Sequence, residues 1–480
     1  MNYLKSTYTA ISMMIILLAF PSCDKYLDVQ PEDLFLEKSV YNNQSSIRNV
    51  LNGIYLDMAS KESYGESNTC TVLDVLAQYY DCSVSGHPMN TLQRYEYEES
   101  GSMSELSAMW NKNYNSILNI NLFIQNVSPG KDILPGEEKN WMLGEAYGLR
   151  AFLGFDLLRL FGPMYQPDSL SAAIPYPLTP ESKINPVLPA KEVMELIIHD
   201  LEQAAMLLEN DPTRSEGVIS NSSITDQYFS NRNRRMNYFA VQALMARVFL
   251  YRGDVTAARN KALEVVESAS KFFPWSPASE SNPGNSNPDR VFSSEILFGL
   301  ENIKLKETQS NWFSASLNNA NILTPYPANL ESIFDKFDND YRYRVWFTVD
   351  RTTTRTNKTF FKYADIKDNN LPFRNLLPLI RMSEMYLILS ECEPDITLAA
   401  QYLNTLRKNR GLPDADFTGK KMDLIIKAYQ QEFWGEGQLF YLYKRLHQSK
   451  IPNGSGGTGN INMSSDQYVV PIPQSETLFR

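Results

Sequence analysis

Apolar residues recur every three to four positions through residues 143–162, and no proline interrupts them until Pro163. That period is helical. Gly144, Gly148 and Gly154 lie inside the pattern, and each interior glycine costs a helix about 1 kcal/mol relative to alanine. A helix bearing three of them is predicted to press closely against a neighbouring backbone. The same period marks amphipathic helices over 39–58, 110–127, 137–161 and 189–208, the last with Val193, Leu196, Ile197, Leu201 and Ala204 as its buried stripe.

Residues 237–269 hold the clearest paired unit. Ala240, Ala243 and Ala246 space one helix, Gly253-Asp254 turns the chain, and Ala257, Ala258, Ala262 and Val265 space the next. Small residues around such a turn, repeating in about 34 residues, are the pattern of tetratricopeptide helix pairs. Residues 378–410 repeat it around Pro394-Asp395. About four such pairs are predicted, some of them degenerate. The fold class is therefore all-α, a tetratricopeptide-like helix-pair solenoid. Residues 60–105 and 271–375 break the pattern with Asn, Ser, Pro and aromatic residues, and form an irregular, loop-rich lobe between helical repeats at about 39–58, 110–270 and 378–447. Loops on a rigid scaffold carry recognition, so the ligand is expected there.

The N-terminus has a different pattern. Lys5 precedes an apolar run over residues 11–20, short of the roughly 20 residues a membrane span needs but of signal-peptide length. The run ends at Phe20-Pro21-Ser22-Cys23, which reads as a lipobox: residues 1–22 are removed and Cys23 is lipidated. The usual Leu three residues before the cysteine is replaced by Phe20. Of the other cysteines, Cys392 reads as a buried free thiol, while Cys70 and Cys82 could pair across a short loop.

Net charge of −10 argues against nucleic acid as a partner. An enzyme is not predicted. The three histidines, His87, His199 and His447, fall in no metal or nucleophile motif, and no cofactor is expected. Asp365, Asp368 and Asn370 could contribute oxygens to a Ca²⁺ site, although their spacing matches no known loop. Glu432 and Glu436 share a helix face, but a hydrolytic pair must flank a substrate groove about 5–9.5 Å wide; they read as structural. Gly454-Ser-Gly-Gly-Thr-Gly459 reads as a mobile loop rather than a phosphate cradle. What remains is aromatic supply beside polar side chains, which suits sugars: their C–H faces stack on rings and their hydroxyls need hydrogen-bond partners. Two segments offer it. The first supplies Tyr79, Tyr80, Asp81, Arg94 and Tyr95, the second Trp275, Asn311, Trp312 and Tyr326.

Several blocks, in order, resemble the SusD/RagB family of nutrient-binding outer-membrane lipoproteins over nearly the whole mature chain, residues 23–480. They are Cys23 with Tyr26-Leu27-Asp28, Leu51-Asn52-Gly53-Ile54-Tyr55, Trp110 with Tyr114, Ile117 and Asn121, and Leu143-Gly144-Glu145-Ala146 with Leu149-Arg150-Ala151. Later blocks are Ala243–Asp254, Asp340-Tyr341-Arg342, Arg381 with Glu384, Tyr386 and Leu387, then Glu432, Glu436-Gly437 and Pro471-Ile472-Pro473. Leu439 and Leu442 stand where the family often has Arg and Asp, which marks a divergent branch. The resemblance implies a single SusD-like domain, lipid-anchored at the outer-membrane surface. It also implies capture of oligosaccharide, or of peptide as in some members, for a SusC-like TonB-dependent transporter. From a different class, the alternative is a helical-repeat scaffold that binds an envelope protein.

Overall fold

The long helices follow the predicted periodicity. In the computed structural model, which describes residues 40–128, 133–181, 184–218, 226–456 and 459–478, they are α1 (Gln44–Met58), α2 (Ser100–Val127), α3 (Glu138–Phe161), α4 (Ala190–Leu207), α5 (Tyr238–Arg252), α6 (Val255–Ala269), α7 (Met382–Cys392), α8 (Ile396–Lys408) and α9 (Lys421–Glu432). The predicted signal segment 1–22 and Cys23 lie outside the described residues. Residues 49–480 make one compact unit and residues 1–48 another.

Within residues 49–480 each helix packs on the next: α2 on α3, α3 on α4, α4 on α5, α5 on α6, α6 on α7, α7 on α8. This is a tetratricopeptide-like stack. Its turns are built as the sequence suggests. Gly253 takes φ 92°, and the Asp254 carboxylate accepts from Ala257 N–H at 3.0 Å to cap α6. Asp395 caps α8 in the same way, accepting from Thr397 and Leu398 N–H. The glycines of α3 sit where neighbours come closest, although what fills the space is mainly side chains and not the neighbouring backbone expected from the sequence. A Cβ on Gly144 would meet Leu208 at 2.6 Å, one on Gly148 would meet Met236 at 2.5 Å, and one on Gly154 would meet the Tyr176 ring at 2.3 Å.

The all-α expectation needs one addition. Among the described residues, four two-stranded antiparallel sheets stitch the excursions: β1 (Ala172–Ile174) with β2 (Leu188–Pro189), β3 (Ile296–Glu301) with β6 (Leu376–Arg381), β4 (Phe347–Thr348) with β5 (Thr359–Phe360), and β7 (Lys450–Pro452) with β8 (Asn460–Asn462). Two boundaries differ from the sequence reading. Residues 378–381 belong to a buried strand, because a continuous apolar run before a helix has no period of its own. The helix predicted from residue 110 begins at Ser100, in a turn of serines and glycine that carries no apolar stripe.

Buried ion pairs tie the stack together, and most of them include a family-block residue. Tyr55 donates to Glu145 at 2.8 Å, and Glu145 also pairs with the fully buried Arg232 at 3.0 Å. Arg150 grips Asp200 with two bonds, at 2.7 and 2.6 Å, and reaches Asn121 at 2.8 Å. At the far end Glu432 accepts from Arg342, Arg381 and Arg410, while Glu436 accepts from Arg381 and Lys362. With Glu295 on Arg410 and Asp340 on Arg342, four cations face four carboxylates in the core. Burial pushes the Glu432 carboxyl up, but the three guanidiniums outweigh it and hold it well below the usual range. Glu432 and Glu436 are thus structural, as their motif suggested.

Candidate functional site

The two aromatic segments singled out from sequence do meet. Asp81 N–H donates to the Thr324 carbonyl at 2.9 Å, and the His87 ring bonds the Ile322 carbonyl at 3.2 Å. His87 Nδ1 also accepts from Met89 N–H, so the proton sits on Nε2, and burial lowers its pKa to favour this neutral form. Behind the junction, Gly454 lies against the backbone: a Cβ there would meet the Tyr80 carbonyl at 2.6 Å and the Gln78 carbonyl at 2.7 Å. The glycine-rich loop reads as a mobile segment in the sequence, yet its first glycine is a packed contact that also donates to Gln78.

A cleft of about 460 Å³ opens where these loops converge, and Asp81, Asn319, Tyr326, Glu331, Arg355 and Asn357 line it. Tyr326 and Asp81 are partly exposed. The Asp81 carboxylate accepts from Ser83 N–H and hydroxyl at 3.0 and 2.6 Å, and Glu331 pairs with Lys336 at 3.1 Å. Arg355 spends its guanidinium on the loop, donating to the Leu317 carbonyl at 2.6 Å and to Asn319 at 2.8 Å. It therefore fixes one wall.

Asn311 lies in a second cleft, of about 440 Å³, whose rim carries the exposed Leu56 and Ile303 beside Lys61, Glu62 and Lys304. Trp312 borders it: its indole N–H donates to Glu66 at 2.9 Å, and Glu66 also accepts from Thr308. The two clefts share no lining residue.

Other candidates are elsewhere. Tyr79 and Tyr80 are core residues, a correction to the expectation that they face ligand. Tyr79 stacks on Trp434 at 3.8 Å and its hydroxyl donates to the Gln430 carbonyl, while Tyr80 donates to the buried Asp74. Tyr95 bonds the Leu76 carbonyl and Gln78, and Arg94 is exposed beside Glu96. Trp275 rests on Tyr386 of α7, 5.0 Å between rings, so it belongs to the helix stack. Cys70 and Cys82 are both buried free thiols rather than a disulfide, as is Cys392. The Asp365 carboxylate is held by Arg374 at 2.7 Å and by Lys306, and Asp368 turns back on Asn370 N–H. His199 is exposed on α4.

Sequence reasoning missed Asp74, His87 and Arg355. Asp74 accepts from Gly435 and Gly437 N–H at 2.7 and 3.2 Å, fastening the cleft-bearing segment to the Glu-Gly block. Burial pushes its carboxyl well above the usual range despite those donors.

A family model described as "Starch-binding associating with outer membrane" matches residues 25–250, and the SusD family model matches residues 302–477. The chain belongs to the SusD/RagB family. SusD-like protein P2 of Formosa agariphila is 23% identical over 97% of this chain and 96% of its own. A SusD superfamily protein from Bacteroides thetaiotaomicron superposes with a TM-score of 0.72 at 22% identity, covering 91% of this chain and 97% of that one. A putative sugar binding protein from Bacteroides vulgatus gives 0.69 at 22% identity, covering 91% and 96%. The SusD-like stack of paired helices is thus the shared fold. No helix among the described residues is long and apolar enough to cross a membrane.

Proposed function

We propose that this SusD-family protein captures an oligosaccharide in the cleft around Asp81 and Tyr326 and delivers it to a SusC-like TonB-dependent transporter. The carrying observation is the lining: a partly exposed tyrosine among Asp81, Asn319, Glu331 and Asn357, in a cleft whose volume suits several sugar rings. The sugar-binding description of a structural neighbour and the starch-binding description of the family model support it. Cys23 supplies the thiol for the lipid anchor at the outer-membrane surface. No bond is made or broken. Glu432 and Glu436 are sealed in ion pairs, and Asp81 and Glu331 serve as hydrogen-bond partners for hydroxyls.

The second cleft favours a peptide instead, because exposed Leu56 and Ile303 stand beside both signs of charge. Glycan and peptide arrays probed with the purified mature chain separate the readings. An oligosaccharide hit lost in Tyr326→Ala supports the first. A peptide hit lost in Trp312→Ala moves the site to the second cleft. Blank arrays, with pull-downs that recover an envelope protein other than a barrel, favour the scaffold.

A further inference from the structure

The backbone around Asp81 is clamped by a side chain. Gln93 is buried at the end of a short helix (Asn90–Gln93), and its amide spans both sides of Asp81. Its NH₂ group donates to the Tyr80 carbonyl, and its carbonyl oxygen accepts from Cys82 N–H at 2.9 Å. Asp81 N–H is itself on the Thr324 carbonyl at 2.9 Å, and Asn90 donates to the Cys82 carbonyl at 2.8 Å. One planar amide thus does for residues 80–82 what a neighbouring strand would do. Only a side chain that is both donor and acceptor can fill that place.

The carboxylate carried on this fixed backbone is only half engaged. Its two bonds come from uncharged groups, Ser83 N–H and hydroxyl, and both fall on Oδ1. Oδ2 accepts no hydrogen bond among the described residues. It stands beside the Tyr326 ring: the point a Cβ would take on Gly456 lies 3.4 Å from Asp81 Oδ2 and 3.9 Å from Tyr326 Cε2. Glu331 adds a second carboxylate to the same lining. The guanidinium of Arg355 faces the other way in its bonding. Its Nε, Nη1 and Nη2 donate to the Ala315 carbonyl, Asn319 and the Leu317 carbonyl. A bare carboxylate oxygen beside a ring face favours a hydroxyl donor and repels a second anion.

Given oligosaccharide capture in this cleft, on which the inference rests, we propose that the ligand is a neutral sugar chain, and that chains bearing uronate carboxylates or sulfate esters are excluded. A ring stacked on Tyr326 donates one hydroxyl to Asp81 Oδ2. An acidic substituent in that position meets Oδ2 at close range, and the Gln93 clamp keeps the backbone from carrying Asp81 away.

The test uses the intact mature protein on arrays that print each neutral backbone beside its acidic counterpart. The pairs are β-1,4-mannan with β-1,4-mannuronan oligomers, cellulose with β-1,4-glucuronan oligomers, and agarose with sulfated agarose oligomers. Titration of the retained pair should show the acidic member bound at least about ten-fold more weakly. That gap should narrow as sodium chloride is raised, because salt screens the repulsion. It should narrow again in Asp81→Asn, which keeps an acceptor for Ser83 and removes the charge. The proposal is overturned by an acidic member that binds as tightly as its neutral partner, or by a gap that neither salt nor Asp81→Asn changes. Arrays blank for every backbone would instead sink the cleft reading itself, and this inference with it.

Discussion

Glu432, which reads as structural in the sequence, is locked in place by the fold. Its two oxygens are shared by Arg342, Arg381 and Arg410, all buried. Glu432→Gln leaves four buried cations facing three carboxylates, and a broken buried pair costs about 3–5 kcal/mol. Urea denaturation should show a loss of that size, with ligand binding by the folded fraction unchanged. Lys444 gives a pH-dependent counterpart. It donates to the Leu160 and Gly162 carbonyls, at 3.3 and 2.7 Å, at the end of α3. Burial, and then repulsion from Arg159, push its pKa from 10.5 down to about 7. Between those values the unfolded chain binds a proton that the native state does not, so stability rises with pH across that window. Below about 7 both states are charged and the full cost of burying the charge is present. Lys444→Met should remove this contribution, which is at most about 1.4 kcal/mol per pH unit. Urea midpoints at pH 7, 8 and 9 measure it as a difference in slope between the two proteins.

At the scale of elements, α3 is the part most legible in the sequence, because both its period and its glycines report on its neighbours. Two glycine substitutions test that reading in opposite directions. Gly154→Ala drives a Cβ into the Tyr176 ring, and that ring cannot swing away because its hydroxyl is held on Asp200 at 2.6 Å. Overpacking of about 1–3 kcal/mol should outweigh the roughly 1 kcal/mol of helix propensity gained. Gly53→Ala in α1 meets nothing within 4 Å and should stabilise by about 0.5–1 kcal/mol. Calorimetric Tm values should therefore move down for the first and up for the second. Less legible were the elements fixed by partners distant in sequence. Residues 376–381 form a strand only because β3 pairs with them. Tyr79 and Tyr80 follow the largely apolar run 72–77 and lead into a polar loop, and Trp434 and Asp74 draw them into the core. The cleft was half visible: Asp81 and Tyr326 were named from aromatic and polar content. Their meeting depends on the Asp81–Thr324 backbone bond and on His87, neither of which any local pattern encodes.

Taken as a whole molecule, the protein is a stack of paired helices that carries a loop-built cleft. Ion pairs buried between helices make the scaffold rigid, and the excursion between α6 and α7 carries most of the cleft's polar and aromatic wall. The most direct measurement is calorimetric titration of the array-identified oligosaccharide into wild-type protein and Tyr326→Ala, with Trp275→Ala as the control on the helix stack and the recovered ligand examined for cleavage. The expected result is binding weakened at least ten-fold by Tyr326→Ala, unaltered by Trp275→Ala, with the oligosaccharide recovered intact. Equal affinity in wild type and Tyr326→Ala, or recovery of a hydrolysed sugar, would contradict the account.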